Sequence, residues 1–260
     1  MPRANRYFLP GFVWHLTHRC HKKEFLLKFG RDRQSWLRWL FEAKKRYGLC
    51  VLNYIVTSNH IHLLVLDTGE DVIAQSMQLI AGRTAQEYNQ RKQRKGAFWE
   101  DRYHATAIQT DESLSRCLAY IDLNMVRAGV VKHPGEWKES GYYEIQNPPR
   151  RCGIVNVPAL MKLLGLDELK KLQEARAQWV ESRLNNVGQR DSSWTESIAA
   201  GDQGFVEAVK EKLGMRAKTR EVVRQSEGFV LKETTTSYMA SFDGKKSLLR
   251  ENNRVYLEES

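Results

Sequence analysis

Two histidines separated by a single isoleucine open the segment HIHLLVLD at positions 60–67. Side chains alternate across a strand, so on a strand His60 and His62 share one face while Ile61 and Leu63 take the other. Their imidazoles can then converge on one point. Imidazole is a common metal ligand, but two neutral nitrogens need at least one further ligand. The spacing leaves open a plainer alternative, a buried histidine pair with satisfied hydrogen bonds.

A second pattern lies further along, in DESLSRCLAYIDLNMVRAG at positions 111–129. Leu114, Leu118, Ile121 and Met125 recur at helical spacing and make a core stripe, whereas Arg116, Tyr120, Asn124 and Arg127 make a second stripe that is wholly polar. Read alone, Tyr120 is better taken as an amphipathic surface residue and Asn124 as a helix-end residue. Read with the histidines, they define a chemistry. Tyrosine is a poor nucleophile at its ordinary pKa of about 10, yet it forms covalent intermediates when activated. A divalent cation held by two imidazoles and one amide oxygen polarises a phosphate and orients it for in-line attack. Such neutral donors leave most of the cation's charge for a phosphate, and the hard ions Mg²⁺ or Mn²⁺ suit that role. No spacing in the sequence states that this helix docks on the histidine face.

Positioning these residues requires a particular order of elements. FVWHLTHRC (12–20), LCVLNYIVT (49–57), HIHLLVLD (60–67) and YHATAIQ (103–109) read as strands. RDRQSWLRWLFEAKKRYG (31–48) reads as an amphipathic helix closed by Gly48, and residues 71–95 as a second long helix. Only Ser58 and Asn59 separate the second strand from the third, which predicts an antiparallel hairpin. The order through residue 109 is β-α-β-β-α-β, the split, ferredoxin-like arrangement, and the Asp111-capped helix at 111–129 follows it. The expected fold class is therefore α+β, an antiparallel sheet packed with helices. QNPPRRCG (146–153) breaks periodicity as a linker would. The expected division is a catalytic domain at 1–148 and a mostly helical accessory region at 149–260, with helices at 158–184 and 202–214 and mixed structure after Arg224.

Bulk properties narrow the partner. At 260 residues and 42% hydrophobic content the chain can build a real core. No stretch approaches the run of roughly 18–20 apolar residues that a membrane span needs, and the N-terminal MPRANRYFLPGF lacks a secretory h-region. Cys20, Cys50, Cys117 and Cys152 form no CxxC pair, which suits reduced thiols in the cytoplasm. Lysine and arginine outnumber the acids by 41 to 31, a net charge of +10 that favours a polyanion. RKQRKG (91–96) runs into Phe98 and Trp99, an arrangement suited to single-stranded nucleic acid and equally to a solvated charged face.

NHIHLLV resembles the His-hydrophobic-His (HUH) motif, and AYIDLNMVRAGVV resembles the tyrosine helix of single-tyrosine HUH transposases. WHLTHRC and GAFWEDRYHA extend the likeness to the REP-associated tyrosine transposases, over about residues 5–145. The resemblance implies a metal-dependent nuclease and strand transferase acting on single-stranded DNA at a REP-like hairpin. It implies Tyr120 as nucleophile, forming a 5′-phosphotyrosine, with His60, His62 and Asn124 as ligands of Mg²⁺ or Mn²⁺. Candidate DNA contacts are Arg6, His15, Arg19, Arg83, Lys92, Arg94, Lys95, Trp99, Arg102, Arg116 and Arg127. Family members often carry Met-Pro before the Asn-His and Pro after the helix Asn; here Thr57–Ser58 and Met125 stand in those places. A cytoplasmic protein that meets DNA at the nucleoid is expected, acting as a monomer rather than a dimer. A rival from another class is a hairpin-binding protein that keeps the fold without the chemistry. A zinc hydrolase of the amidohydrolase type fits poorly, because only His104 and His133 follow residue 62 and the eightfold βα pattern is missing.

Overall fold

The computed structural model describes residues 8–151, 153–185, 187, 191–225 and 227–233. Arg6 and Cys152 lie outside the described residues. Four strands form the frame: β1 (Val13–Arg19), β2 (Cys50–Val56), β3 (His60–Leu66) and β4 (His104–Ile108). They stand in the order β2-β3-β1-β4 with every neighbouring pair antiparallel. This is the split βαβ arrangement that the order of elements predicts. Helices α1 (Gly30–Tyr47) and α2 (Val72–Lys92) are the two crossovers and pack on each other. The apolar stripe of α1 buries Trp36, Leu37, Leu40 and Ala43, and Gly48 ends the helix at φ 72°, a left-handed turn that favours glycine.

All seven residues of β2 are buried although it is an edge strand. The chain after the polar-striped helix covers that edge: Val56 N–H donates to Glu139 O at 3.0 Å, and Asn156 N–H donates to Val51 O at 2.7 Å. A covered edge offers no unpaired ladder to another chain. Helix α5 (Gly141–Gln146), started by the Ser140 hydroxyl accepting from Tyr143 N–H, belongs to this cover.

The polar-striped helix is two helices, α3 (Glu112–Asp122) and α4 (Asn124–Arg127), joined at Leu123 with ψ near 4°. Asp111 caps α3 by accepting from Ser113 N–H, as its place in the sequence predicts. The helix expected at 158–184 also divides, into α6 (Val157–Leu164) and α7 (Leu169–Leu184), because Gly165 takes a left-handed conformation at the end of the first. α8 (Gln203–Leu213) begins at the Asp202 cap. Helices dominate the residues after 149, and they also supply three strands. β5 (Ala199–Gly201) pairs parallel to β4, β7 (Gly228–Glu233) pairs antiparallel to β5, and β6 (Arg220–Gln225) completes a seven-stranded sheet. The sheet thus runs from the first segment into the second.

One buried ion pair joins α3 to α7. The Arg176 guanidinium donates to both carboxylate oxygens of Asp122, at 2.6 and 2.7 Å, and each side chain is 1% exposed. Burial pushes the Asp122 carboxyl up, opposed by Arg176 and by the Asn53 amide, which donates to Asp122 at 2.9 Å. Removing one member of a buried pair strands a charge, at a cost of about 3–5 kcal/mol. Arg176→Ala is expected to lose about that much stability in a urea titration, whereas Asp122→Leu combined with Arg176→Met recovers part of it.

Burial also pushes up the thiols. Cys20 rises to about 12, and Cys50 and Cys117 rise with it. Reaction requires the thiolate. All three are therefore expected to stay inert to a thiol-directed disulfide reagent at mildly alkaline pH until denaturant is added, a property checked by mass spectrometry of the labelled sites.

Candidate functional site

Antiparallel pairing sets Thr17 of β1 opposite His62 of β3, and Arg19 opposite His60. His15, two residues before Thr17, points to the same face. Helix α3 lies over that face, with the Tyr120 ring centroid 5.9 Å from that of His62 and 6.3 Å from that of His15. Asn124 follows in α4 and brings its amide nitrogen to 2.9 Å from His62 Nε2. The helix therefore docks on the histidine face. Tyr120, Asn124 and His62 are all buried there, and His60 is half-buried with its ring 5.0 Å from that of His62.

The hydrogen bonds fix where the protons sit. Trp194 O can only accept, so the 2.8 Å contact with His15 Nδ1 places a proton on that nitrogen. A neutral ring then offers Nε2 as acceptor, and it stands 2.9 Å from His62 Nδ1. His62 consequently carries its proton on Nδ1, and its Nε2 lone pair meets the Asn124 amide. Burial keeps His15 neutral by lowering its pKa to about 3.

His60 reaches the same tautomer by a different route. Its Nδ1 lies 2.7 Å from Asn59 Oδ1 and 2.9 Å from Thr57 Oγ1. The Thr57 hydroxyl donates to His60 O at 2.7 Å and therefore accepts from the ring. Thr57 also accepts the His60 backbone N–H at 3.1 Å. In both rings Nε2 is the nitrogen left as a donor of electrons.

Around this point lies a cleft of about 730 Å³, lined also by Arg19, Arg102, Arg127, His104 and Thr195. Arg127 stacks its guanidinium 4.4 Å from the Tyr120 ring centroid and donates to Tyr120 O at 3.2 Å. Arg127 is thus placed to offset negative charge on the tyrosine. Glu100 and Asp101 reach the same cleft.

The structure gathers Arg19, Arg102 and Arg127 with Tyr120, His60, His62 and Asn124, and it scatters the remaining candidates. His15 has no exposed surface and stands behind His62 rather than on any DNA-facing surface. Arg116 ties Ser113 to the Glu227 carboxylate and carbonyl at the β6–β7 turn. Trp99 has one ring face on His18, at 4.0 Å, and donates to Ala81 O. Arg83 lies over Trp39 on the surface of α2, Arg94 holds Ala97 O and Asn89, and Lys95 is exposed nearby. Lys92 and Lys28 flank Phe29, which with Phe25 is one of the large exposed rings. Those two phenylalanines escape a periodicity reading because they sit in a loop, although the lysines beside them are a visible signal. The contacts that Thr57, Asn59 and Trp194 make with histidines are not legible in the sequence, and Trp194 makes its contact through a backbone oxygen.

Comparison with known proteins fits this picture. The model of the IS200-like transposase family matches residues 11–124. Among solved structures, a REP-associated tyrosine transposase bound to a REP hairpin is 20% identical, with a TM-score of 0.48 over 55% of this chain and 84% of its own. A putative transposase from Deinococcus radiodurans is 17% identical, with a TM-score of 0.33 over 45% and 94% of the two chains. A tRNA(His) guanylyltransferase from Saccharomyces cerevisiae is 8% identical, with a TM-score of 0.36 over 72% and 84%. A comparison with curated proteins finds no match. Among the described residues no helix is long and apolar enough to cross a membrane, and no group of three His, Cys, Asp or Glu is assembled for a metal.

Thr57 joins the hairpin turn to the His60 ring, and its hydroxyl is buried. Thr57→Val leaves the His60 N–H without its partner and is expected to cost about 1–3 kcal/mol of stability. Thr57→Ser should retain most of it, as read from denaturant midpoints.

Proposed function

We propose that the protein is a metal-dependent endonuclease and strand transferase that acts on single-stranded DNA beside a REP-like hairpin, with Tyr120 as its nucleophile. One observation carries this reading: a tyrosine, two Nε2 lone pairs and an amide converge within a single chain at one cleft. A purely structural histidine pair would need neither the tyrosine nor the three arginines around it.

The donor set fits a hard divalent ion. His60 Nε2, His62 Nε2 and the Asn124 amide, turned to present its oxygen, would hold Mg²⁺ or Mn²⁺. Bound there, the ion supplies charge for a phosphate, because none of its three protein ligands is anionic.

The chain's own residues would carry the reaction. Tyr120 Oη forms a bond to phosphorus as the bond from phosphorus to the 3′ oxygen breaks. The phenolic proton leaves Tyr120, and the departing oxygen takes up a proton and becomes the free 3′-OH. The product is a 5′-phosphotyrosine that retains the phosphodiester's energy, so a 3′-OH can reverse the step and join strands. Arg127, stacked on the Tyr120 ring, places a positive charge beside the nucleophile. Arg19 and Arg102 at the cleft would take neighbouring phosphates. Because His62 and Tyr120 meet within one chain, the site needs no second copy, and we take the monomer as the active form.

The test mixes protein, a labelled single-stranded hairpin oligonucleotide and Mn²⁺ or Mg²⁺. A denaturant-resistant adduct is expected, absent in Tyr120→Phe and in chelator. Adduct that persists in Tyr120→Phe refutes the assigned nucleophile. Tight hairpin binding with no adduct across a panel of hairpins identifies a binding protein instead. Each arginine of the Arg19 and Arg102 pair, changed to alanine, should flatten the dependence of log affinity on log salt by about 0.7, the value for one single-strand phosphate contact.

A further inference from the structure

We infer that His15 and the backbone carbonyl of Trp194 are positioning groups of the site. Together they impose the Nδ1–H tautomer on His62, so that the segment around Trp194 forms a working part of the catalytic centre. The inference rests on the reading of His62 as a metal ligand.

The order of donors and acceptors leaves one arrangement. Starting from the carbonyl, which has no proton to give, the chain runs Trp194 O, His15 Nδ1–H, His15 Nε2, His62 Nδ1–H, His62 Nε2, with contacts of 2.8 and 2.9 Å. An imidazole accepts at one nitrogen only if it donates at the other, so each link dictates the next. Were the carbonyl replaced by a donor, both rings would invert and His62 would present a proton to the cleft. A ligating histidine is generally oriented by a partner on its other nitrogen. Here that partner is a second, fully buried histidine. His15 and His62 lie nearly parallel, 11° between planes and 5.0 Å between centroids, so neither ring turns without displacing the other.

The carbonyl is itself held in place. Ala107 N–H donates to Ile198 O at 2.8 Å, and Thr106 Oγ1 donates to Ser197 O at 2.6 Å. β5 continues the clamp by pairing with β4 at Ala107 and Ile108. The Trp194 ring approaches Tyr120, with centroids 6.3 Å apart, and Thr195 reaches the cleft. Residues 194–201 therefore sit against β1 and β4 at the depth of the candidate site. They lie beyond the span 11–124 that matches the transposase family. In this chain the later segment supplies an atom that the site's proton pattern requires.

The first measurement is made on the metal-free protein labelled with ¹⁵N-histidine, using long-range proton–nitrogen correlation. His62 and His15 are each expected to show a protonated Nδ1 and a pyridine-type Nε2. His62 with a protonated Nε2 overturns the inference. The second measurement is Mn²⁺ affinity, read by electron paramagnetic resonance of the free ion. His15→Phe keeps a ring in the space but breaks both hydrogen bonds. It is expected to mix the His62 tautomers and weaken Mn²⁺ binding about 10–100-fold, the usual loss when such an orienting partner is removed. His15→Gln can still donate to Trp194 O and accept from His62 Nδ1, and it is expected to restore both signals. A folded His15→Phe protein with wild-type tautomer and affinity sinks the proposal; if that variant fails to fold, the wild-type spectrum and His15→Gln decide. Should the tautomers prove as stated while the wild-type protein binds no Mn²⁺ and forms no DNA adduct, the relay stands and the strand-transferase reading falls.

Discussion

A carboxylate taken out of water must find its compensation inside the protein. Asp122 does so in a place that governs everything near it. It sits midway between Tyr120 and Asn124, and its oxygens are held from one side by Asn53 of β2 and from the other by Arg176 of α7. Rotating α3, or sliding it by a fraction of a turn, would strand that charge or the guanidinium. The turn that carries the tyrosine and the amide is thereby pinned at its centre to the sheet beneath and to a helix above. The two side chains proposed to act in the site, Tyr120 and Asn124, inherit precision from a residue that has no part in the proposed chemistry. The end of α3 at Asp122 and the joint at Leu123 fall at this anchor.

The frame was legible because its signals are local. Alternation on β3 puts His60 and His62 on one face whatever lies next to them, and spacing on α3 separates a core stripe from a polar one. The order of strands and helices then leaves few topologies, and the split βαβ sheet is among them. What could not be read is made by contacts between distant segments. Arg176 gives no sign in its own helix of being buried, because an arginine at that spacing ordinarily reads as solvent-facing. His15 has the spacing of a DNA-facing residue on β1. Only the pairing of β1 with β3, and the arrival of Trp194, turn it into the neighbour of His62. The division of 158–184 was not read, because a lone glycine inside an otherwise helical pattern, such as Gly165, is often tolerated within one helix. Only the three-residue strand β5 pairs with the edge that β4 offers, and the β6–β7 hairpin joins the sheet through β5.

The departures from the family's usual residues gain a physical meaning in this light. Thr57 stands where relatives often have methionine, and it places a hydroxyl against His60 that accepts from both the ring and the backbone. A methionine offers the ring no such acceptor, so orientation would rest on Asn59 alone. Met125 in place of proline keeps a backbone N–H, and it is 3% exposed in the core beneath α4. Neither change touches a reacting group. Thr57 bears on how firmly His60 is held.

Firmness of this kind has a consequence for chemistry that must run in both directions. In the proposed reaction cutting and rejoining would pass through the same phosphotyrosine, so a site that relaxed after the first step would lose the geometry for the second. Preorganised groups do not reorganise during reaction and act equally on approach and return. Here the orientation of His62 depends on a neutral ring and a backbone oxygen, and that of His60 on a hydroxyl and an amide. None of these partners changes charge near neutral pH. A carboxylate behind either histidine would make it a stronger ligand but would spend charge that the ion could otherwise direct at a phosphate. Neutral partners would leave the field of a bound cation for a phosphate, which is the arrangement that the proposed reversible exchange calls for.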